Sequence, residues 1–85
     1  PDSALYTREL IAEAVNLISV PQLTGPMAVT AKTRYSQREA AATVEPLPDG
    51  RIRVVFEEPQ RAVTAGQAVV LYDGEKVVGG GTICD

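Results

Sequence analysis

The chain has no histidine, a single cysteine and no apolar run approaching the length of a membrane span. Each absence removes a class of function. Without histidine, neither a Ser-His-Asp nor a Cys-His catalytic arrangement can be assembled, and His-ligated zinc is excluded as well. Cys84 alone cannot supply a multi-thiolate metal site or an internal disulfide framework, which fits a reducing, cytosolic setting. It has no basic neighbour in sequence to favour its thiolate, so it reads as an incidental free thiol. A spanning helix needs about 20 consecutive apolar residues. No stretch comes near that, and no secretory signal pattern opens the chain.

What is present is ordinary for a small soluble domain, with 45% hydrophobic and 22% charged residues. Its 85 residues make one domain, which buries about 60–65% of its unfolded surface. The opening Pro1-Asp2-Ser3, without an initiator methionine, reads as the start of a piece cut from a longer protein. The net charge of −3 argues against a nucleic-acid binder driven by bulk charge. The charges are nevertheless uneven. Lys32, Arg34 and Arg38 come with no acid until Glu39, while acids gather at Glu57, Glu58, Asp73 and Glu75.

Turn signals at short intervals divide most of the chain into strands. Met27, Val29, Ala31, Thr33 and Tyr35 alternate with Lys32, Arg34 and other residues assigned to the wet face. A second strand is centred on Ala42, Thr43 and Val44, with Pro46 at its end or on an edge. Pro48-Asp49-Gly50 then makes a hairpin turn. Beyond it Ile52, Val54 and Phe56 face inward and Arg51, Arg53 and Val55 outward. Pro59 is expected to end that strand. Thr64-Ala65-Gly66-Gln67 turns the chain into a last hairpin, Ala68 to Tyr72 and Lys76 to Val78, joined at Asp73-Gly74. At least five short strands point to an all-β barrel or sandwich, and a closed barrel leaves no open edges. Gly79, Gly80 and Gly81 suit a strand that bends sharply or passes close to another backbone. A phosphate loop would need a helix after those glycines, and only Thr82 to Asp85 remain.

Residues 4–19 are ambiguous. Ile11, Val15 and Ile18, with Leu10, Ala14 and Leu17 beside them, follow a helical period. A period of two instead puts Ile11, Val15 and Leu17 on one face with Glu9 and Glu13. Periodicity favours the helix.

Two features offer binding chemistry. Lys32, Arg34, Tyr35, Gln37 and Arg38 combine cations, a ring and an amide, which suits phosphate contacts and base stacking. A solvated strand face fits the same composition equally well. Glu57, Gln60, Arg61 and Gln67 lie on a segment that could instead contact protein. Glu57 and Glu58 are expected to leave opposite faces of a strand and so not to act as an acid/base pair.

Several blocks resemble one family. Lys32-Thr33-Arg34-Tyr35-Ser36-Gln37, the run from Phe56-Glu57-Glu58-Pro59-Gln60-Arg61 through Val63-Thr64-Ala65-Gly66-Gln67 to Tyr72-Asp73-Gly74, and Gly79-Gly80-Gly81-Thr82-Ile83 are similar to the C-terminal domain of bacterial tRNA-specific 2-thiouridylases. Leu5-Tyr6-Thr7-Arg8-Glu9-Leu10 and Val15-Asn16 resemble the segment entering that domain. Ala65 departs from a usual proline, Leu71 from a frequent phenylalanine and Leu17 from a common tryptophan. The resemblance implies a single small antiparallel barrel of about six strands, similar to translation-factor barrel domains, spanning 1–85. It also implies that 4–19 is mostly strand, against periodicity.

For function, the resemblance implies a non-catalytic module of a cytoplasmic enzyme. The parent uses ATP with magnesium and a cysteine persulfide to thiolate C2 of the wobble uridine of tRNA. The module itself would hold no cofactor or metal and would help bind tRNA through Lys32, Arg34, Tyr35, Gln37 and Arg38. The alternative is a protein-interaction module that docks on the parent's nucleotide-binding and central domains, or on a sulfur-relay protein. Cys84 matches no catalytic cysteine of the family.

Overall fold

The structure is a computed structural model that describes residues 6–33, 38–61 and 63–84. Six strands follow one another: β1 (Tyr6–Leu17), β2 (Met27–Lys32), β3 (Ala40–Pro46), β4 (Ile52–Arg61), β5 (Ala68–Asp73) and β6 (Lys76–Ile83). All pairings are antiparallel, and the order β1-β4-β3-β2-β5-β6 closes on itself as a barrel. No helix occurs among the described residues. The all-β barrel expected from the turn spacing is what forms, and residues 6–17 are strand as the family resemblance implied.

Period-two alternation fills the interior. Ile52, Val54 and Phe56 of β4 are buried, and Arg53 and Val55 between them are half-exposed. Val29 and Ala31 of β2, Ala42 and Val44 of β3, and Val69 and Leu71 of β5 complete the same inner surface. Each large side chain so enclosed contributes about 1.5–3 kcal/mol. With few bulky residues available, the core depends on fit around Phe56, Leu10 and Leu71, which are essentially inaccessible.

Two irregularities interrupt the period of two in β1. Leu10 and Ala12 point inward, but the register with β6 slips between Glu13 and Asn16, and Ala14 takes a positive φ of 51°. One extra residue reverses the phase, so Val15 is the next to pack on the core. Inward positions at 10, 12 and 15 thus follow neither an unbroken period of two nor the helical stripe of Ile11, Val15 and Ile18, whose Ile18 is exposed. The second slip lies between Thr7 and Glu9. There β1 pairs Glu9 with Val55 and Thr7 with Gln60, leaving residues 56–59 of β4 opposite Arg8 alone.

That bulge corrects the expectation for Pro59. The strand continues to Arg61 instead of ending at the proline. Pairing with β3 stops at Ala42 and Phe56, so Pro59 sits in a bulge on a stretch bounded only by β1. A missing N–H costs no ladder bond at such a position.

The turns follow their residue chemistry. Leu47 N donates to Arg51 O at 2.9 Å and Gly50 N to Leu47 O at 3.1 Å, with Gly50 at φ 88°. This is a three-residue loop with glycine in the left-handed position. In the last hairpin Asp73 pairs with Lys76, so the two central residues are Gly74 and Glu75, one position later than expected. Gly74 at φ 62° in the first central position fits a type II′ turn. Thr64 to Gln67 closes through Gln67 N to Thr64 O at 3.3 Å, with Gly66 at φ 93° in the third place, as a type II turn requires.

The glycine run also does what was expected of it. A Cβ on Gly80 would lie 2.5 Å from Val69 O and one on Gly81 2.8 Å from Glu13 O, while one on Gly79 would strike Asn16 O. All three would meet backbone atoms that cannot swing aside.

Two substitutions should move stability in opposite directions in denaturant unfolding. Gly74→Val forces a β-branched residue into the left-handed region and should cost about 1–2 kcal/mol. Ala65→Pro occupies the second position of a type II turn, where proline's fixed φ fits, and should gain about 0.4–1 kcal/mol.

Candidate nucleic-acid interface

β2 ends at half-buried Lys32, opposite Val70 of β5, and Ala31 pairs with Ala40 at the start of β3. This register puts Lys32 and exposed Arg38 at the same end of the barrel, on either side of the β2–β3 connection. Arg34, Tyr35 and Gln37 lie outside the described residues. Glu39 reaches back to β2, where its Oε1 accepts a 2.5 Å hydrogen bond from Thr30 Oγ1. Thr30 and Lys32 share one strand face, so the Glu39 carboxylate is bonded on the same face as the cation.

More acid gathers at this end than the sequence suggested. A hollow of about 360 Å³ is lined by Glu39, Ala40, Ala41, Glu57, Glu58 and Gln60. Glu57 and Glu58 both border it, where β4 runs on past its last pair with β3 at Ala42–Phe56. No group of three His, Cys, Asp or Glu among the described residues could hold a metal ion.

The segment 57–67 proposed as a contact loop is strand as far as Arg61 and a turn at 64–67. Glu57 and Arg61 are exposed on β4, and the Glu57 carbonyl accepts from Arg8 Nη2 at 3.0 Å. Gln60 Nε2 donates to the Glu58 carbonyl at 3.0 Å. Gln67 belongs to the turn. Its Oε1 accepts from Thr64 N at 3.4 Å, and its own carbonyl accepts from Ile83 N at 2.8 Å. Of these four, Glu57, Gln60 and Arg61 share the end of β4 and Gln67 does not join them. Sequence reasoning passed over Tyr6 and Arg8, which face the end of β4 from β1.

Residues 7–83 match the family model described as the aminomethyltransferase beta-barrel domain. The chain belongs to this family. It is 56% identical to a tRNA-specific 2-thiouridylase MnmA from Acetivibrio thermocellus over 96% of its own length, and 51% identical to one from Halothermothrix orenii over 98%. A third, from Koribacter versatilis, is 55% identical over 94% of the chain. The chain spans about 23% of the length of the first two relatives and corresponds to their C-terminal barrel domain.

Within this family barrel the ion pairs hold turns and strands. Arg53 Nη1 meets Glu45 Oε1 at 3.0 Å across directly paired positions of β3 and β4. Arg51 Nε meets Asp49 Oδ2 at 2.7 Å, and Arg51 N donates to Asp49 Oδ1 at 3.1 Å. The Arg51 N–H, more than its guanidinium, holds the Asp49 carboxyl below its ordinary 3.8 against an opposing desolvation. Asp49 first, and Cys84 after it, raise Arg51 above its usual value. Cys84 itself is half-buried, with its thiol 3.4 Å from the Ile11 carbonyl. Structure thus gives Cys84 a cationic neighbour that sequence did not.

A carboxyl that ionises more readily in the folded state stabilises the fold above the ordinary carboxylate range. That contribution is lost as pH falls through the lowered folded value. NMR titration of the Asp49 side chain should give a midpoint below 3.8. Arg51→Ala should raise it only in part, because the backbone N–H remains.

Proposed function

We propose that this barrel is the non-catalytic C-terminal module of a longer tRNA 2-thiouridylase, and that it helps hold the tRNA. Other domains of the parent would replace the C2 oxygen of the wobble uridine with sulfur, using ATP with magnesium and a cysteine persulfide. Partners on this reading are tRNA, the parent's nucleotide-binding and central domains and a sulfur-relay protein, in the cytoplasm. The observation that carries the RNA role is the register of β2 and β3. It sets Lys32 and Arg38 at the two ends of a short connection whose sequence adds Arg34, Tyr35 and Gln37.

Magnitudes keep that role small. Each phosphate neutralised contributes a salt slope of about 0.7 to 0.9 in log K, so three cations give at most about 3. The fixed carboxylate of Glu39 beside them lowers the local potential further. Such a surface can position tRNA already held elsewhere, and it cannot capture tRNA by itself.

Replacement of Lys32, Arg34 or Arg38 by alanine in the full enzyme should weaken tRNA binding and lower the salt slope by about one each. An unchanged slope in all three variants would take this strip out of the RNA interface.

A further inference from the structure

β3 leaves β4 after the Ala42–Phe56 pair, and β6 meets β1 only from Ala12 onward. Between those limits, residues 6–7 of β1 and 60–61 of β4 run on as a two-stranded ribbon beyond the closed barrel. A two-stranded ribbon is marginal in water by itself. One side of it forms an open hollow of about 630 Å³ lined by Tyr6, Thr7, Arg8, Glu58 and Pro59. Tyr6 is 46% exposed, among the most exposed large apolar side chains described. The ring and the proline form an apolar centre, and Arg8 and Glu58 give it a charged rim of both signs. That is the anatomy of a protein–protein contact, in which tyrosine supplies apolar area with a polar tip.

The chain itself indicates the occupant. The relatives carry more than three quarters of their length outside the matched barrel, which stands at their C-terminal end. Residues 1–5 span at most about 18 Å however they run, so the polypeptide preceding the barrel is tethered close to Tyr6. A surface held this near faces a high effective concentration of ribbon and needs little intrinsic affinity to dock. The geometry points to the Tyr6–Pro59 hollow as the seat of the parent's preceding domain, fixing the barrel's orientation on the enzyme. This rests on reading the chain as the C-terminal module of a longer protein.

The test uses the full-length protein without tRNA. Cysteines are introduced singly as Tyr6→Cys and Pro59→Cys, with Ile18→Cys, at a 64% exposed position, as the reference. Thiol labelling is followed peptide by peptide by mass spectrometry. Labelling at 6 and 59 should be at least tenfold slower than at 18, and unchanged on tenfold dilution. Hydrogen exchange of the same two strand segments in the unmodified protein, slowed in step, guards against misfolded variants. Equal labelling at all three positions overturns the proposal. So does shielding that disappears on dilution, which would mean a second copy, and shielding that arises only with tRNA. Thiolation is assayed in parallel: equal labelling in an active enzyme removes the docking surface alone, whereas shielding in a protein that never thiolates tRNA removes the functional reading alone.

Discussion

Closure of this barrel depends on how near β6 can come to the strands on both sides of it. Gly79 and Gly81 lie against the carbonyls of Asn16 and Glu13 in β1, and Gly80 lies against Val69 in β5. A side chain at any of the three would strike backbone, so the strand between β1 and β5 is bare where they converge. With only modest apolar bulk to bury, the fold cannot absorb a gap at that seam. An open seam would expose two strand edges able to pair with other chains. The adjoining bulges serve the same closure: one extra residue near Ala14 and one at Val78 bend the partners so that the register can meet around the ring.

Those bulges mark the boundary between what the sequence makes legible and what it conceals. β4 reads directly, since Ile52, Val54 and Phe56 alternate with polar or half-exposed neighbours and a glycine-bearing turn fixes where they start. β1 does not. Its inward residues shift phase between Ala12 and Val15, so no unbroken period of two is left to set against the helical spacing of Ile11, Val15 and Ile18. Propensity could not break that tie, because Leu, Ala and Glu favour helix locally while pairing with β4 and β6 decides the outcome. Pro59 misled for a related reason. A proline ends a strand only where its N–H is needed, and the need depends on a neighbour that the local sequence does not show.

The candidate interface was legible in part. Basic residues around the β2–β3 connection stand out from the sequence, and the register brings Lys32 and Arg38 to one end. The acids around them were not foreseeable. Glu39 lies next to Arg38 in the chain, yet its attachment to Thr30 depends on strand pairing. Glu57 and Glu58 reach the same end because β4 continues past the Ala42–Phe56 pair toward Ala41 and Ala40. Long-range register, set by closure, converts two separate charge clusters into a mixed surface.

That mixture bears on how an acidic domain could serve on a polyanion. Net charge is a poor guide here, because screening confines each charge to about 8 Å at physiological salt. Asp73 and Glu75 lie past the Thr30–Tyr72 pair, away from Lys32, about 10 Å along the strands at 3.3 Å per residue. Their repulsion on a phosphate near Lys32 is largely screened. Glu39, held over Thr30, is not, and with the neighbouring hollow it limits where a phosphate can approach. A surface with a few cations bounded by fixed carboxylates gains little from diffusional steering but discriminates between placements of a backbone. Such discrimination is useful only when the polyanion is already delivered, and delivery requires that the barrel be held at a set angle to whatever binds the rest of it. The ribbon at 6–7 and 60–61 is the part of this fold that the barrel itself does not need for closure, which leaves it available for the docking role proposed above.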